Sequence, residues 1–144
     1  TRLIRMGLLV FVISGVATAD ENVVIDSFDY PGDAAAQAAW RPRSGLPPVK
    51  VSTQGSRRAL SIPCPFTNEQ WDRAYVDRDV KLNLAGVNEI SIDLYVSNSK
   101  MVRNFLLCFR SGDGWFSAPF SGLKNAWQTR TIAKANCGVE GTPA

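Results

Sequence analysis

Arg110, Asp113 and Trp115 fall in one short stretch, Arg110-Ser111-Gly112-Asp113-Gly114-Trp115-Phe116. These are the side-chain types that hold a polyhydroxylated ring. An indole stacks on apolar C–H surface, a guanidinium donates to hydroxyl oxygens, and a carboxylate accepts hydroxyl hydrogens. The two glycines make Ser111 to Gly114 a tight turn. Trp115 and Phe116 are neighbours on the strand that leaves it, so they point to opposite faces. Phe116 is expected inward and Trp115 toward a cleft or loop; the competing arrangement puts Trp115 in the core. Arg110 either grips hydroxyls or braces Asp113.

A second group of candidates lies upstream. Trp40 beside Arg41 and Trp71 beside Asp72 sit in loop-like sequence, where an aromatic either meets a ligand or caps the end of the fold. Asp72-Arg73-Ala74-Tyr75-Val76-Asp77-Arg78-Asp79 alternates charge ahead of an expected strand. It reads either as a binding loop, with Tyr75 stacking and Asp77 accepting hydroxyl hydrogens, or as an internal salt-bridge lattice. Trp127 opens a strand and is expected in the core.

Composition removes several chemistries. With no histidine, Ser-His-Asp and Cys-His nucleophile systems cannot form within the chain. The three cysteines are widely spaced and make a poor zinc site. Neither a GxGxxG nor a GxxxxGK[ST] phosphate loop occurs. Glycoside hydrolysis would need two carboxyls about 5–10 Å apart across the bond. The spacing of Asp72, Asp77, Asp79, Asp93 and Asp113 singles out no pair, so the chain is expected not to be an enzyme.

The elements that must position these residues follow a leader. Residues 1–19 start with Arg2 and Arg5, run apolar from Met6 to Val16 and end Ala17-Thr18-Ala19, the pattern of a secretory signal peptide. The apolar run is shorter than the roughly 18–20 residues a bilayer span requires, so no stable membrane insertion is expected. Without the leader, fourteen basic side chains face thirteen acidic ones. That balance implies no nucleic-acid partner. Export, whether to the periplasm or outside the cell, places Cys64, Cys108 and Cys137 in an oxidising compartment; Cys108 is expected as a small core residue, with a bridge to Cys64 as the alternative.

Residues 20–144 read as one domain of short period-two strands separated by turns. Strands are expected at Asn22–Phe28, Lys50–Thr53, Arg58–Ile62, Val80–Leu84, Glu89–Val96, Val102–Arg110, Trp115–Phe120 and Trp127–Ile132. One or two helical turns are expected between Pro31 and Pro42. Val102–Arg110, the densest apolar run, is expected as the central strand of a sheet, and the tail from Cys137 as a loop. The fold class is all-β, a jelly-roll-like antiparallel β-sandwich, with closing strands missing from a C-terminally truncated chain.

Several stretches resemble the galactose-binding-like, carbohydrate-binding-module-like β-sandwiches at the N-terminus of large secreted glycosidase-like proteins. They are Ile25-Asp26-Ser27-Phe28-Asp29, Leu60-Ser61-Ile62-Pro63-Cys64-Pro65-Phe66, Arg73 to Arg78, Val80 to Val87 and Phe109 to Phe116. The resemblance covers roughly residues 22–144, with Asn83 standing where the group often has Asp. It implies a non-catalytic glycan-binding module attached to a glycoside hydrolase or surface protein, with an oligo- or polysaccharide as partner; the binding candidates remain those read from the residues, Trp115, Arg110, Tyr75, Asp77, Trp40 and Asp113. It also implies a structural calcium, for which Asp26 and Asp29 are the candidate ligands. The alternative is a spacer that docks on a catalytic domain and binds no sugar.

Overall fold

The computed structural model describes residues 10–12, 23–67, 73–83 and 86–143. The leader expected over residues 1–19 therefore lies outside the described residues except for three positions, as do Trp71, Asp72 and Leu84. In chain order the elements are β1 (Val10–Val12), β2 (Val23–Val24), α1 (Asp33–Ala39), β3 (Arg41–Pro42), β4 (Lys50–Gln54), β5 (Arg57–Ser61), β6 (Val76–Asp77), β7 (Glu89–Tyr95), β8 (Asn104–Ser111), β9 (Asp113–Ser121), β10 (Trp127–Ala133) and β11 (Gly138–Thr142). A single 3-10 turn, Lys134–Asn136, joins the last two strands. The class is all-β, and every strand pairing is antiparallel. None of the described helices is long and apolar enough to cross a membrane.

Four sheets result, in the orders β10-β7-β1-β2, β11-β9-β8, β3-β6 and β4-β5. The alternation along β7 does what period-two patterning requires. Ile90, Ile92 and Leu94, with Val96 beyond the strand, are buried, while Ser91, Asp93 and Tyr95 turn the other way. Ala118 and Phe120 of β9 enter the same core, and Phe105, Leu107 and Phe109 of β8 pack against it. The Phe105 and Phe120 rings stack with centroids 6.2 Å apart. Each such aliphatic or aromatic burial contributes about 1.5–3 kcal/mol, so this shared core is what holds the two larger sheets together.

Several expectations are corrected. Only Val23–Val24 of the first strand is extended in a ladder, because Asp26 turns the chain and Phe28 takes a positive φ of 55°. Residues 80–83 form no strand. Among the described residues β8 is an outer strand rather than a central one, paired only with β9. Its inward positions are half-buried and its outward ones, Leu106 and Cys108 among them, are exposed. Cys108 is therefore not a core residue, and among the described residues no disulfide joins Cys64, Cys108 or Cys137. The tail is not a loop: Gly138–Thr142 pairs with β9 over five positions.

The chain entering α1 is tied down by a buried carboxylate. Asp26 Oδ1 accepts the Phe28 N–H at 2.7 Å, fixing the left-handed residue. Its Oδ2 accepts from the Tyr30 hydroxyl at 2.5 Å, from Trp40 Nε1 at 2.9 Å and from the Arg78 guanidinium. Trp40, the first residue past α1, stacks on Phe28 at 5.7 Å. The helix itself is pinned to β4, since Asp33 Oδ1 accepts Val51 N–H and Gln37 donates to the Val49 carbonyl.

This cluster makes stability depend on alkaline pH. Burial first, then the hydrogen bond to Asp26 and its charge, push the Tyr30 hydroxyl up to about 12. An unfolded tyrosine releases its proton near 10. The folded state binds more protons in that window, so the contribution is full below pH 10 and is lost as pH rises toward 12. The ring is partly exposed, and screening leaves an effect of about 1 kcal/mol. Urea midpoints should fall between about pH 9 and about pH 11.5, and the fall should be shallower in Tyr30→Phe. Equal slopes would remove Tyr30 as the cause.

Candidate ligand-binding face

The outward face of the β8-β9-β11 sheet carries the strongest constellation. The β8–β9 hairpin turns through Gly112-Asp113, with Ser111 paired to Gly114. Gly112 takes φ of 54° at the first turn position, the requirement of a type II′-like two-residue connection. The register then sets the rows. Arg110 on β8, Trp115 on β9 and Glu140 on β11 lie side by side, and Cys108, Ser117 and Gly138 form the next row. Strand spacing places the Arg110 and Glu140 backbones roughly 10 Å apart with the indole between them.

Trp115 is 41% exposed, and the Arg110 guanidinium lies over its ring, 5.8 Å from the centroid. Such a contact stabilises by about 0.5–1 kcal/mol at an exposed site and orients the ring. Arg110 therefore steadies the indole rather than bracing Asp113, which lies on the same outward face at the turn. Phe116 points to the opposite side, as its position next to Trp115 requires. Leu106, 54% exposed, sits opposite Pro119 farther along the face.

Close approach of β11 completes the row. A Cβ at Gly114 would lie 2.4 Å from Pro143 N and 2.6 Å from the Glu140 carbonyl oxygen. Gly141 takes φ of 69° where the chain meets Asp113. Glycine at these positions is what allows the strand to lie so near β9. Partial burial, and second the Glu140 carboxylate, push the Cys108 thiol up from its ordinary value. The field of Glu140 thus reaches across the sheet to β8.

The remaining candidates fall elsewhere. Trp40 is buried against Phe28 and Asp26 and offers no face to a ligand. Tyr75 is exposed and accepts a hydrogen bond from Arg73 at its hydroxyl, but it precedes β6, in the separate β3–β6 pair. Asp77 is held by Arg43 at 2.7 Å and Asp79 by Arg41, the lattice arrangement of those charges. Asp26 and Asp29 do not fit a shared calcium ion. Both Asp26 oxygens accept protein donors, one of them a guanidinium, and Asp29 faces Arg58 at 3.3 Å. Calcium takes six to eight oxygens in general, and among the described residues no group of three or more His, Cys, Asp or Glu could hold a metal ion.

Trp127 is not a core residue. It is half-buried on the outward side of β7 and β10, tilted against Tyr95 at 5.4 Å and under Arg57 at 5.6 Å. Its Nε1 donates to the Gln54 carbonyl, and Asp93 below it accepts from Thr129 at 2.5 Å and faces Arg57 at 3.7 Å. A groove of about 320 Å³ between Pro119–Phe120 and Thr129–Ile132 is similar in kind. Its Arg130 is bonded to the Ser121 carbonyl and its Thr131 to Ser91. These polar groups already have partners. Glu140 is the functional candidate that sequence reasoning missed; the only signal was its alternation with Gly138 in a segment too rich in glycine to read as a strand. No protein-family model, curated protein sequence or solved structure matches this chain.

Proposed function

We propose that the chain is an exported, non-catalytic carbohydrate-binding module, a jelly-roll-like antiparallel β-sandwich accessory to a glycoside hydrolase. The observation that carries this reading is the exposed Trp115 indole with a guanidinium on one flank and a carboxylate on the other. A pyranose stacks its C–H face on the side of the indole that Arg110 does not cover and finds a donor and an acceptor at its hydroxyls. The face is shallow, so a single site binds in the micromolar to millimolar range, roughly −4 to −8 kcal/mol. Linkage to other modules raises the avidity.

A second reading has an observation of its own. Leu106 is large, apolar and 54% exposed, beside the exposed Pro119 on the outward face of the sheet. An apolar spot there favours a spacer that docks on a neighbouring domain. Affinity electrophoresis of the full chain in gels containing neutral polysaccharides separates the two. Retardation that falls at least about tenfold in Trp115→Ala, with the urea midpoint unchanged, is expected of the binding module. A folded protein that no polysaccharide retards leaves the spacer.

A further inference from the structure

We infer that Glu140 sets the ligand class of this face, admitting neutral sugars with free hydroxyls and turning away polyuronates and sulfated glycans. The inference rests on the glycan-binding reading above and adds a selectivity to it. Three observations carry it. Glu140 is placed by register rather than by a mobile loop, directly beside Trp115 on the side away from Arg110. The lack of a side chain at Gly114, where a Cβ would meet Pro143 and the Glu140 carbonyl, lets β11 lie against β9 in this register. No described basic group forms a salt bridge with its carboxylate, whereas Asp26, Asp29, Asp77, Asp79 and Asp93 each face an arginine.

A carboxylate in that position accepts hydrogens from the hydroxyls of a ring lying on the indole. The same carboxylate repels a ligand that carries an anion on every residue. One acidic group can turn toward Arg110, but a polyuronate chain brings the next one against Glu140. Like charges brought together at a binding face discriminate between ligands more than they change the affinity for the right one. Arg110 offsets this only in part, since its guanidinium is drawn over the Trp115 ring.

The test uses the full chain as wild type, Glu140→Gln and Trp115→Ala, in gels containing neutral β-glucan, galactan, xylan or mannan, or polygalacturonate. Glu140 is exposed, so Glu140→Gln should keep the wild-type urea midpoint. Wild type is expected to bind a neutral polysaccharide at least about tenfold more tightly than polygalacturonate. Glu140→Gln should weaken the neutral interaction and narrow that gap to about twofold. Equal retardation of wild type by both classes, or an undiminished gap in Glu140→Gln, overturns the inference while leaving glycan binding intact. Retardation indifferent to Trp115→Ala, or none at all, overturns the glycan-binding reading and this inference with it.

Discussion

Asp26→Asn is expected to lose about 3–5 kcal/mol of unfolding free energy, the largest effect of any single polar substitution in the chain. The side chain is buried, and its two oxygens satisfy four donors from three separate parts of the sequence. An asparagine keeps one oxygen and turns an NH2 group toward donors that need an acceptor. Arg78 is then left partly buried without its counter-charge, and Trp40 Nε1 and the Tyr30 hydroxyl compete for what remains. The N–H of Phe28 also loses a charged acceptor, so a positive-φ residue in the core is held less firmly. Against a total stability of about 5–15 kcal/mol for a typical domain, such a loss leaves little margin. Urea denaturation should show it directly, together with a melting temperature lower by about 10 °C or more. Arg78→Met is the informative companion. It removes the cation but leaves three donors on Asp26, and it should be less damaging than Asp26→Asn. An Asp26→Asn midpoint within about 1 kcal/mol of wild type would show that the carboxylate is not the organising group.

The residues of this cluster explain which parts of the fold are legible in sequence. β7 is legible because its burial alternates within its own seven residues. The β4–β5 hairpin is legible because Gly55 supplies the positive φ between two runs that pair over five positions. These are local signals. Trp40 reads as a loop aromatic because the acceptor of its Nε1 lies fourteen residues back, and nothing local announces a buried carboxylate there. Phe105-Leu106-Leu107-Cys108-Phe109 reads as buried on both faces, yet only one side of β8 meets the core. Apolar density cannot say how many faces are covered. The candidate site divides in the same way. Trp115 and Arg110 follow from the hairpin, whereas Glu140 depends on β11, whose two glycines argue against a strand and whose pairing comes from contact with β9.

That dependence makes Gly114→Ala the second large effect. The added methyl meets Pro143 N at 2.4 Å, Pro143 Cδ at 2.5 Å and the Glu140 carbonyl oxygen at 2.6 Å. Two of these are backbone atoms, so no rotamer change relieves the clash, and β11 must lift from β9. Overpacking of this kind costs about 1–3 kcal/mol. The consequence for the face is more specific than the loss of stability. Trp115 and Arg110 belong to the β8–β9 hairpin and keep their contact, while Glu140 leaves the row. Gly114→Ala should therefore weaken neutral-glycan retardation about as much as Glu140→Gln does, while also lowering the urea midpoint, which Glu140→Gln does not. Gly32→Ser is the matched control, since a Cβ there meets nothing within 4 Å and the backbone is extended. It should leave both measurements unchanged or raise the midpoint slightly, because serine caps a helix well. If Gly114→Ala lowers the midpoint and binding persists, β11 stabilises the sheet without contributing to recognition. The ligand then rests on Trp115 and Arg110 alone.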